Sequence, residues 1–456
     1  MIAGSVELRA RVGGRRDATL LAAVAALAGL LFGFDTAVVN GGLLLLRAQF
    51  HLTNVQAEFA AGALIAGAVL GASVAGWSGD RFGRRTMLVW TAGLFALSSI
   101  GAALPSNLIE FEAARLIGGL GIGLGSTLAP VYISEIAVPG TRGRLVTLNQ
   151  LAVVFGILGS YFLCWALASL GPGSWRWMFG AGLIPALALL FGLFNIPESP
   201  RWLIKSGRSA EAGAVLASIA GEEEAAREKM QIEEAIREER SANVRLASPE
   251  LRRPLFIAIT LAVLQQITGI NTVLYYGSVL FSEHMKQQTS SAIGANVAIG
   301  AINVVGTILS ILWLDKFGRR PLLLWTFAGM AASLAVLAGL FLLPHVPVLL
   351  ILVSVLGYVL FFAIGPGPVV WVYIAEIFPS TVRGRAASVA IVALWIACLL
   401  VTVSFLSLLH SAGPAGTFGI YAVLSLFALG FVFRCVPETR AKSLEEISAG
   451  WRKMQS

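Results

Sequence analysis

The sequence predicts an all-α polytopic membrane protein with twelve transmembrane helices. Of its 456 residues, 57% are hydrophobic and 13% are charged, and the mean hydropathy is +0.80. A soluble domain has about 25% charged residues, so this chain has too few charged side chains to cover a surface in water. Its apolar runs reach the roughly 20 residues that cross about 30 Å of hydrocarbon, and they lack the alternation of barrel strands.

The twelve apolar runs are separated by short charged clusters. They lie near 18–46, 55–78, 86–104, 109–134, 146–170, 175–196, 254–282, 290–314, 321–343, 347–375, 386–410 and 414–436. The longest hydrophilic stretch separates six runs from the other six. We therefore expect four segments: an N-terminal six-helix half at 1–196, a cytoplasmic helical linker at 197–253, a C-terminal six-helix half at 254–436 and a cytoplasmic tail at 437–456.

The basic residues are distributed very unevenly along the predicted topology. With both termini in the cytoplasm, Arg47, Arg176 and Lys286 fall in outer loops and Arg115 falls inside a span, which leaves 29 of the 33 Lys and Arg residues on the cytoplasmic side. This is the positive-inside bias, and it sets the orientation. The basic residues behind the net charge of +8 are therefore distributed according to the membrane topology, and we expect no nucleic-acid partner. We predict an integral protein of the cytoplasmic (inner) membrane.

Several other functional classes lack support in the sequence. The three cysteines, Cys164, Cys398 and Cys435, are too scattered for a metal site or a disulfide framework. None of the four histidines is placed deep in a span, and no catalytic constellation is evident, so we expect neither an enzyme, a metal nor a cofactor. The glycine-rich run 118–125 lacks the Lys-Ser/Thr ending of a phosphate loop, and close helix packing explains it better.

The two halves of the chain repeat one another. Three markers of the first half recur in the second: 79–85 at 314–320, 132–144 at 373–385, and 197–198 at 437–438. The offsets are 235, 241 and 240 residues, which is close to one period. Repeats of this kind are typical of transporter folds that bind their ligand near the membrane midplane, between two pseudo-symmetric halves.

Five motifs carry a resemblance to a known family. They are DRFGRR at 80–85, PESPR at 197–201, QQITGIN at 265–271, GPGP at 365–368 and PETR at 437–440. In this order, each at a span end, they resemble the sugar porter family of the major facilitator superfamily across the whole chain. The resemblance implies the major facilitator fold and alternating-access transport of a monosaccharide or related polyol, similar to bacterial proton-coupled sugar symporters.

One carboxylate lies near the middle of the first span. A charge at this depth costs about 2.5–3.5 kcal/mol on insertion scales, so a functional role is the first hypothesis. Arg115 in the fourth span is the basic residue able to pair with Asp35 at depth. We interpret the pair as the proton-coupling site, because a carboxylate paired with a cation favours its ionised form and separation favours protonation. The alternative is a static ion pair that joins two helices.

Amides and aromatic rings inside the spans predict a site for a polyhydroxylated solute. Amides donate and accept hydrogen bonds as hydroxyls do, and aromatic faces suit the C–H face of a sugar ring. Interhelical hydrogen bonding is the alternative role for each amide alone. The resemblance implies that the substrate site is lined by Phe32, Gln150, Gln265, Gln266, Asn271, Tyr276, Asn303, Trp371 and Trp395.

Two further features predict gating. The sequence Gly365-Pro366-Gly367-Pro368 removes backbone donors in the tenth span and predicts a hinge, and Tyr275 with Tyr276 is expected to close the outer side. Duplicated clusters of mixed charge predict salt bridges that latch the inner side shut in the outward-facing state. The latch comprises Asp80, Arg84, Glu135, Arg142, Arg144, Glu198, Arg201, Asp315, Arg319, Glu376, Arg383, Arg385 and Glu438.

The substrate itself remains open at this stage. Leu394 and Cys398 stand where family members commonly carry amides, and Ala363 stands where some carry a glutamate, so specificity does not transfer from one relative. A hexose, a pentose and an inositol-like polyol are all compatible with the remaining groups. The alternative functions are a proton-independent facilitator and a transporter-like sugar sensor, and the short tail after the last run argues against the sensor.

Overall fold

The described part of the protein is built from helices. The computed structural model describes residues 15–137, 142–241, 248–285, 289–345, 347–378 and 382–440. The α-helices within these ranges are α1 (Arg15–Phe50), α2 (Asn54–Phe82), α3 (Arg84–Ala103), α4 (Leu108–Ile136), α5 (Arg142–Leu167), α6 (Trp175–Gly180), α7 (Leu183–Phe194), α8 (Pro200–Lys205), α9 (Ser209–Ala220), α10 (Glu222–Ser241), α11 (Pro249–Ile267), α12 (Ile270–Met285), α13 (Thr289–Phe317), α14 (Arg319–Leu340), α15 (Val348–Ile364), α16 (Pro366–Glu376), α17 (Arg383–Thr402) and α18 (Phe405–Cys435). Most of the tail at 437–456 lies outside the described residues.

Twelve segments of the described chain are long and apolar enough to cross a membrane, which confirms the predicted fold class. The predicted run 254–282 corresponds to one spanning segment, Pro249–Leu280, within which Gly269 at φ 92° separates α11 from α12. One predicted boundary is wrong. The run 386–410 is interrupted between Thr402 and Phe405. There, the hydroxyls of Thr402 and Ser404 donate to backbone carbonyls one turn earlier, and such side-chain bonds are known to bend helices.

The helices form two similar groups of six spans that pack side by side. In the first group α2 packs on α4 and α1 on α5, and in the second α14 packs on α18 and α11 on α17. The groups meet where α2 contacts α17, α5 contacts α13, and α1 contacts α12. Within the run 118–125, a Cβ added at Gly119 would lie 2.8 Å from the Cα of Gly67 on α2. The glycine run therefore serves close helix packing.

The hydrophilic linker contributes α8, α9 and α10 beside the bundle. Arg227 pairs with Glu223, one turn earlier on α10, at 2.5 Å, and Glu233 accepts a hydrogen bond from Ser209 at 2.9 Å. Arg208 donates two hydrogen bonds to the exposed Glu211, and these hydrogen bonds lower the pKa of that carboxyl group. These charges lie on a solvated surface.

Candidate functional site

The carboxylate of Asp35 on α1 contacts the guanidinium of Arg115 on α4 inside the bundle. Nη1 of Arg115 pairs with Oδ1 of Asp35, and Nη2 donates to the Asp35 backbone oxygen at 2.8 Å. Arg115 is 1% exposed and Asp35 is 8% exposed, so both charges are withdrawn from water. The ring of Phe179 on α6 lies 5.1 Å from the guanidinium carbon and covers it. The structure thus brings together the pair that the sequence singled out.

The second carboxylate oxygen of Asp35 is chemically distinct from the first. Oδ2 is buried and has no hydrogen-bond partner among the described residues. It faces Gly118 on α4, where an added Cβ would lie 3.2 Å from it. A proton on Asp35 is therefore best placed on Oδ2, because Oδ1 faces the cation. The pair is electrically neutral when Asp35 is ionised and carries one positive charge when Asp35 is protonated.

The amides of the seventh span gather around the break between α11 and α12. Gln265 donates to the backbone oxygens of Pro366 at 2.7 Å and Gly367 at 3.0 Å, and Gln266 donates to Gln265 at 3.2 Å. Asn271 donates to Gln266 across the break. An ideal helix places these last two side chains about 140° apart. The non-helical Gly269 removes that separation, which sequence periodicity could not anticipate.

Aromatic side chains from both halves meet beside these amides. Phe32 on α1 and Trp395 on α17 pack edge to face with ring centroids 5.5 Å apart. The indole Nε1 of Trp395 is buried without a hydrogen-bond partner in the described structure. A buried N–H of this kind is costly unless something pairs with it, so it suits a ligand hydroxyl. Trp371 and Gln150 are half-buried and Asn303 is buried.

The two tyrosines of α12 occupy different surroundings. The Tyr275 hydroxyl lies 4.0 Å from Sγ of Cys398, which also accepts from Asn271 at 3.1 Å. The Tyr276 hydroxyl donates to the backbone oxygen of Thr402 at 2.9 Å, and its ring packs on Phe405 at 5.2 Å. Tyr276 therefore packs inside the C-terminal half, whereas Tyr275 lies beside the amide group. Cys398 stands where family members commonly carry an amide, and its sulfur contacts the side chains of Asn271 and Tyr275.

The tenth span breaks where the proline motif predicts. Helix α15 ends at Ile364 and α16 begins at Pro366, with Gly365 between them at φ −109° and ψ −98°. Gly365 packs tightly against the side chain of Thr326 on α14, which leaves no room for a Cβ. The carbonyls of Pro366 and Gly367 are the acceptors used by Gln265, so this break joins the amide group. The hinge role stays a prediction.

Ion pairs of the predicted latch form in each half at the same end of the bundle, which we call the basic end. It is the end at which α1 begins. Arg84 pairs with Asp80 at 2.9 Å and with Glu135 at 3.0 Å. Arg319 pairs with Asp315 at 3.1 Å and with Glu376 at 2.8 Å. Each of these pairs joins helices of one half, and the two sets repeat the internal symmetry of the sequence.

In these clusters, Glu198 and Glu438 accept hydrogen bonds from backbone N–H groups. Glu198 accepts from the N–H of Arg85 at 2.9 Å at the start of α3, and Glu438 accepts from the N–H of Arg319 and Arg320 at 3.0 Å at the start of α14. Helix N-termini leave such N–H groups unpaired, and a carboxylate also favours the positive end of the helix dipole. These two residues of the predicted latch therefore cap helices within their own halves.

The remaining latch residues are basic and lie in the first turns of α5, α8 and α17. Arg144 and Arg385 are exposed in the structure, and Arg201 is half-buried. Arg142 and Arg383 begin α5 and α17, but their side chains lie outside the described part of the molecule. The latch between the halves therefore stays a prediction.

A polar network that the sequence did not predict lies at the opposite end of the bundle, which we call the far end. There Asn40 on α1 donates to the Leu274 backbone oxygen at 2.8 Å and accepts from the Ser278 N–H at 2.7 Å. These two groups lie four residues apart, so the amide of Asn40 is inserted into the hydrogen-bond ladder of α12. Tyr161 on α5 donates to the same Leu274 oxygen at 2.8 Å. An amide within the first apolar run was the available signal.

Comparisons with known proteins agree with this arrangement. The family model described as "Sugar (and other) transporter" matches residues 21–451. The arabinose-proton symporter of Bacillus subtilis is 36% identical over 441 residues, covering 95% of each chain. The D-xylose-proton symporter of Escherichia coli is 36% identical over 466 residues, covering 94% of each.

Solved structures show the same architecture. The proton:xylose symporter XylE bound to 6-bromo-6-deoxy-D-glucose has a TM-score of 0.83 at 34% identity, covering 95% of this chain and 99% of that one. The xylose transporter XylE from E. coli in a partially occluded inward-open conformation has a TM-score of 0.84 at 33% identity, covering 93% and 99%. The chain thus has the fold of a major facilitator transporter. It belongs to the sugar transporter family and is an integral membrane protein.

Proposed function

We propose that this protein moves a monosaccharide or related polyol across the cytoplasmic membrane by alternating access, together with a proton. The buried pair of Asp35 and Arg115 carries the proposal, because one oxygen of the Asp35 carboxylate contacts a cation and the other has no hydrogen-bond partner among the described residues. Relatives named as arabinose-proton and xylose-proton symporters support the same coupling. The family of transporters also argues against an enzyme.

The proton and the substrate act on neighbouring parts of the bundle. Phe32 lies one helical turn before Asp35 on α1 and packs on Trp395 of the opposite half. A shift of α1 that separates Asp35 from Arg115 would therefore also move Phe32 against Trp395. Protonation of Asp35 favours that separation, since a neutral carboxyl group holds the guanidinium less tightly. This is the coupling that symport requires.

We assign the basic end to the cytoplasm and the far end to the outside, in keeping with the positive-inside rule. The cross-half bonds of Asn40 and Tyr161 then close the outer side. The exposed Arg144 and Arg385 are free to approach the opposite half when the inner side closes, which is the proposed latch. A hexose, a pentose or an inositol-like polyol fits the amides and indoles of the site.

Uptake by proteoliposomes tests the proposal. Radiolabelled arabinose, xylose, glucose and myo-inositol are supplied with and without an inward pH gradient. We expect accumulation of at least one solute above equilibrium only when the gradient is present. Equilibration that ignores the gradient would instead identify a facilitator with a structural Asp35–Arg115 pair. Absence of uptake for all four solutes would contradict the proposed substrate class.

A further inference from the structure

Glu58 is a buried carboxylate of α2 that the transport site does not use. It is 1% exposed and lies one turn from the start of α2 at the far end. Its two oxygens accept from a single residue of the other half, Ser407 on α18. The Ser407 N–H lies 2.7 Å from Oε1 and the Ser407 hydroxyl lies 2.8 Å from Oε2. Both oxygens of Glu58 therefore act as acceptors for donors of one residue.

The bond satisfies a helix end that its own half leaves open. Helix α18 begins at Phe405, and the side chain of Ser404, its N-cap residue, makes no capping bond and donates backwards to Leu400 at 2.7 Å. The N–H of Ser407 belongs to the first turn, where helical partners are lacking. Glu58 therefore caps α18 from the opposite half. A carboxylate there also meets the positive end of the helix dipole.

The surroundings make this a close contact between the halves. One turn along α2, a Cβ at Gly62 would lie 2.5 Å from Cγ1 of Val403, in the link between α17 and α18. On the C-terminal side, Tyr276 holds the same link through Thr402 and Phe405. The link is thus pinned by its own half and faces Glu58 across the interface. Separation of the halves at the far end has to break both hydrogen bonds.

We propose that Glu58 is a positioning residue of the outer gate, which stabilises the outward-closed state by capping α18 in trans. The inference rests on the alternating-access function proposed above. An interaction made in one state only shifts the equilibrium toward that state. Loss of an N-cap typically changes an equilibrium by about 2- to 30-fold, so removal of Glu58 should raise the outward-open population by that factor.

Distance measurement between spin labels tests the proposal. Labels are placed at Val55→Cys on α2 and Ser411→Cys on α18, both exposed, in a chain whose three native cysteines are replaced by alanine. We expect Glu58→Ala to increase the long-distance population strongly and Ser407→Ala to increase it less, because Ser407→Ala keeps the N–H. Glu58→Gln should lie between wild type and Glu58→Ala, since an amide keeps one acceptor.

Glu110→Gln is the matched control. Glu110 lies at the same end but bonds Ser106 and Asn107 within its own half, so its loss should leave the distances unchanged. An unchanged distribution in Glu58→Ala, or an equal change in the control, would overturn the proposal. If Glu58→Ala does not fold, Glu58→Gln and Ser407→Ala decide the outcome. The measurement needs neither substrate nor a pH gradient, so its failure is distinct from a failure of wild-type uptake.

Discussion

At the scale of single residues, two unpaired buried atoms define what the site can do. Oδ2 of Asp35 and Nε1 of Trp395 both lie in the interior without hydrogen-bond partners among the described residues. Buried polar groups are usually paired, and each unpaired one costs about 1–3 kcal/mol. Oδ2 of Asp35 is suited to bind a proton, and Nε1 of Trp395 is suited to donate to a sugar hydroxyl. The two atoms therefore correspond to the proton and the sugar that we propose are transported together.

Substitution of Asp35 tests the proton site. In Asp35→Asn the side chain can still accept from Arg115 but cannot be ionised. We expect accumulation against a gradient to be abolished while counterflow exchange survives, as measured with labelled sugar in proteoliposomes. Counterflow by the same preparation is the internal control for folding. Uphill uptake at the wild-type level would contradict the assignment.

Substitution of Trp395 tests the substrate site. Trp395→Phe keeps a ring against Phe32 but removes the N–H donor. Loss of a hydrogen bond worth about 0.5–1.5 kcal/mol should raise the KM for sugar by about 2- to 13-fold. Concentration-dependent uptake measures the change. Trp177→Phe, at a Trp that is 70% exposed, is the matched control and should leave the KM unchanged.

At the scale of elements, helix breaks and helix starts carry most of the site. Gly269 and Gly365 interrupt the seventh and tenth spans at the points where Gln265 crosses to the carbonyl of Pro366. Helix starts at the basic end receive carboxylates, Glu198 at α3 and Glu438 at α14. Irregular backbone is tolerated at depth only where protein or a cavity surrounds it, so the breaks point to the cavity.

Loss of a helix cap should lower the free energy of unfolding by a measurable amount. In Glu438→Gln the acceptor for the Arg319 and Arg320 N–H groups loses its charge and one of its two accepting oxygens. We expect unfolding to become easier by about 1 kcal/mol, as seen in denaturant or thermal unfolding in detergent. Glu234→Gln, at an exposed position in the middle of α10, should have no such effect. Equal stability of both variants would argue against a capping role.

At the scale of the whole molecule, the two ends of the bundle differ in how the halves are joined. The far end has hydrogen bonds between the halves, from Asn40 and from Glu58. The ion pairs of Arg84 and Arg319 at the basic end stay within one half. Bonds that persist in both states do not shift an equilibrium, whereas bonds between the halves do. The described structure is therefore a far-end-closed state.

Variants at the two ends should shift the equilibrium in opposite directions. Asn40→Ala removes bonds between the halves and should favour the outward-open state. Glu376→Gln should favour the inward-open state, because the predicted latch uses Glu376 to hold the opposite half when the inner side closes. A cysteine at Ser388 on α17, whose hydroxyl faces Gly76 of the other half, reports access from the basic end through its labelling rate in an otherwise cysteine-free chain. We expect slower labelling in Asn40→Ala and faster labelling in Glu376→Gln. Unchanged labelling in Glu376→Gln would count against the latch.

The sequence by itself determined the twelve spans, the repeat and the pairing of Asp35 with Arg115. These follow from apolar length and from the cost of an isolated charge in lipid, which leaves a buried carboxylate few partners. The sequence did not predict the breaks in the helices at Gly269 and after Thr402, because helix periodicity does not hold there.

Only the tertiary structure decided the contacts between segments distant in sequence. The meeting of Asn271 with Gln266 depends on a backbone break, and the caps by Glu198 and Glu438 depend on which helix start lies nearby. Glu58 and Ser407 are 349 residues apart, and their contact exists because the two halves close at one end. Local propensity carries no information about such distances, because they are set by how whole helices pack.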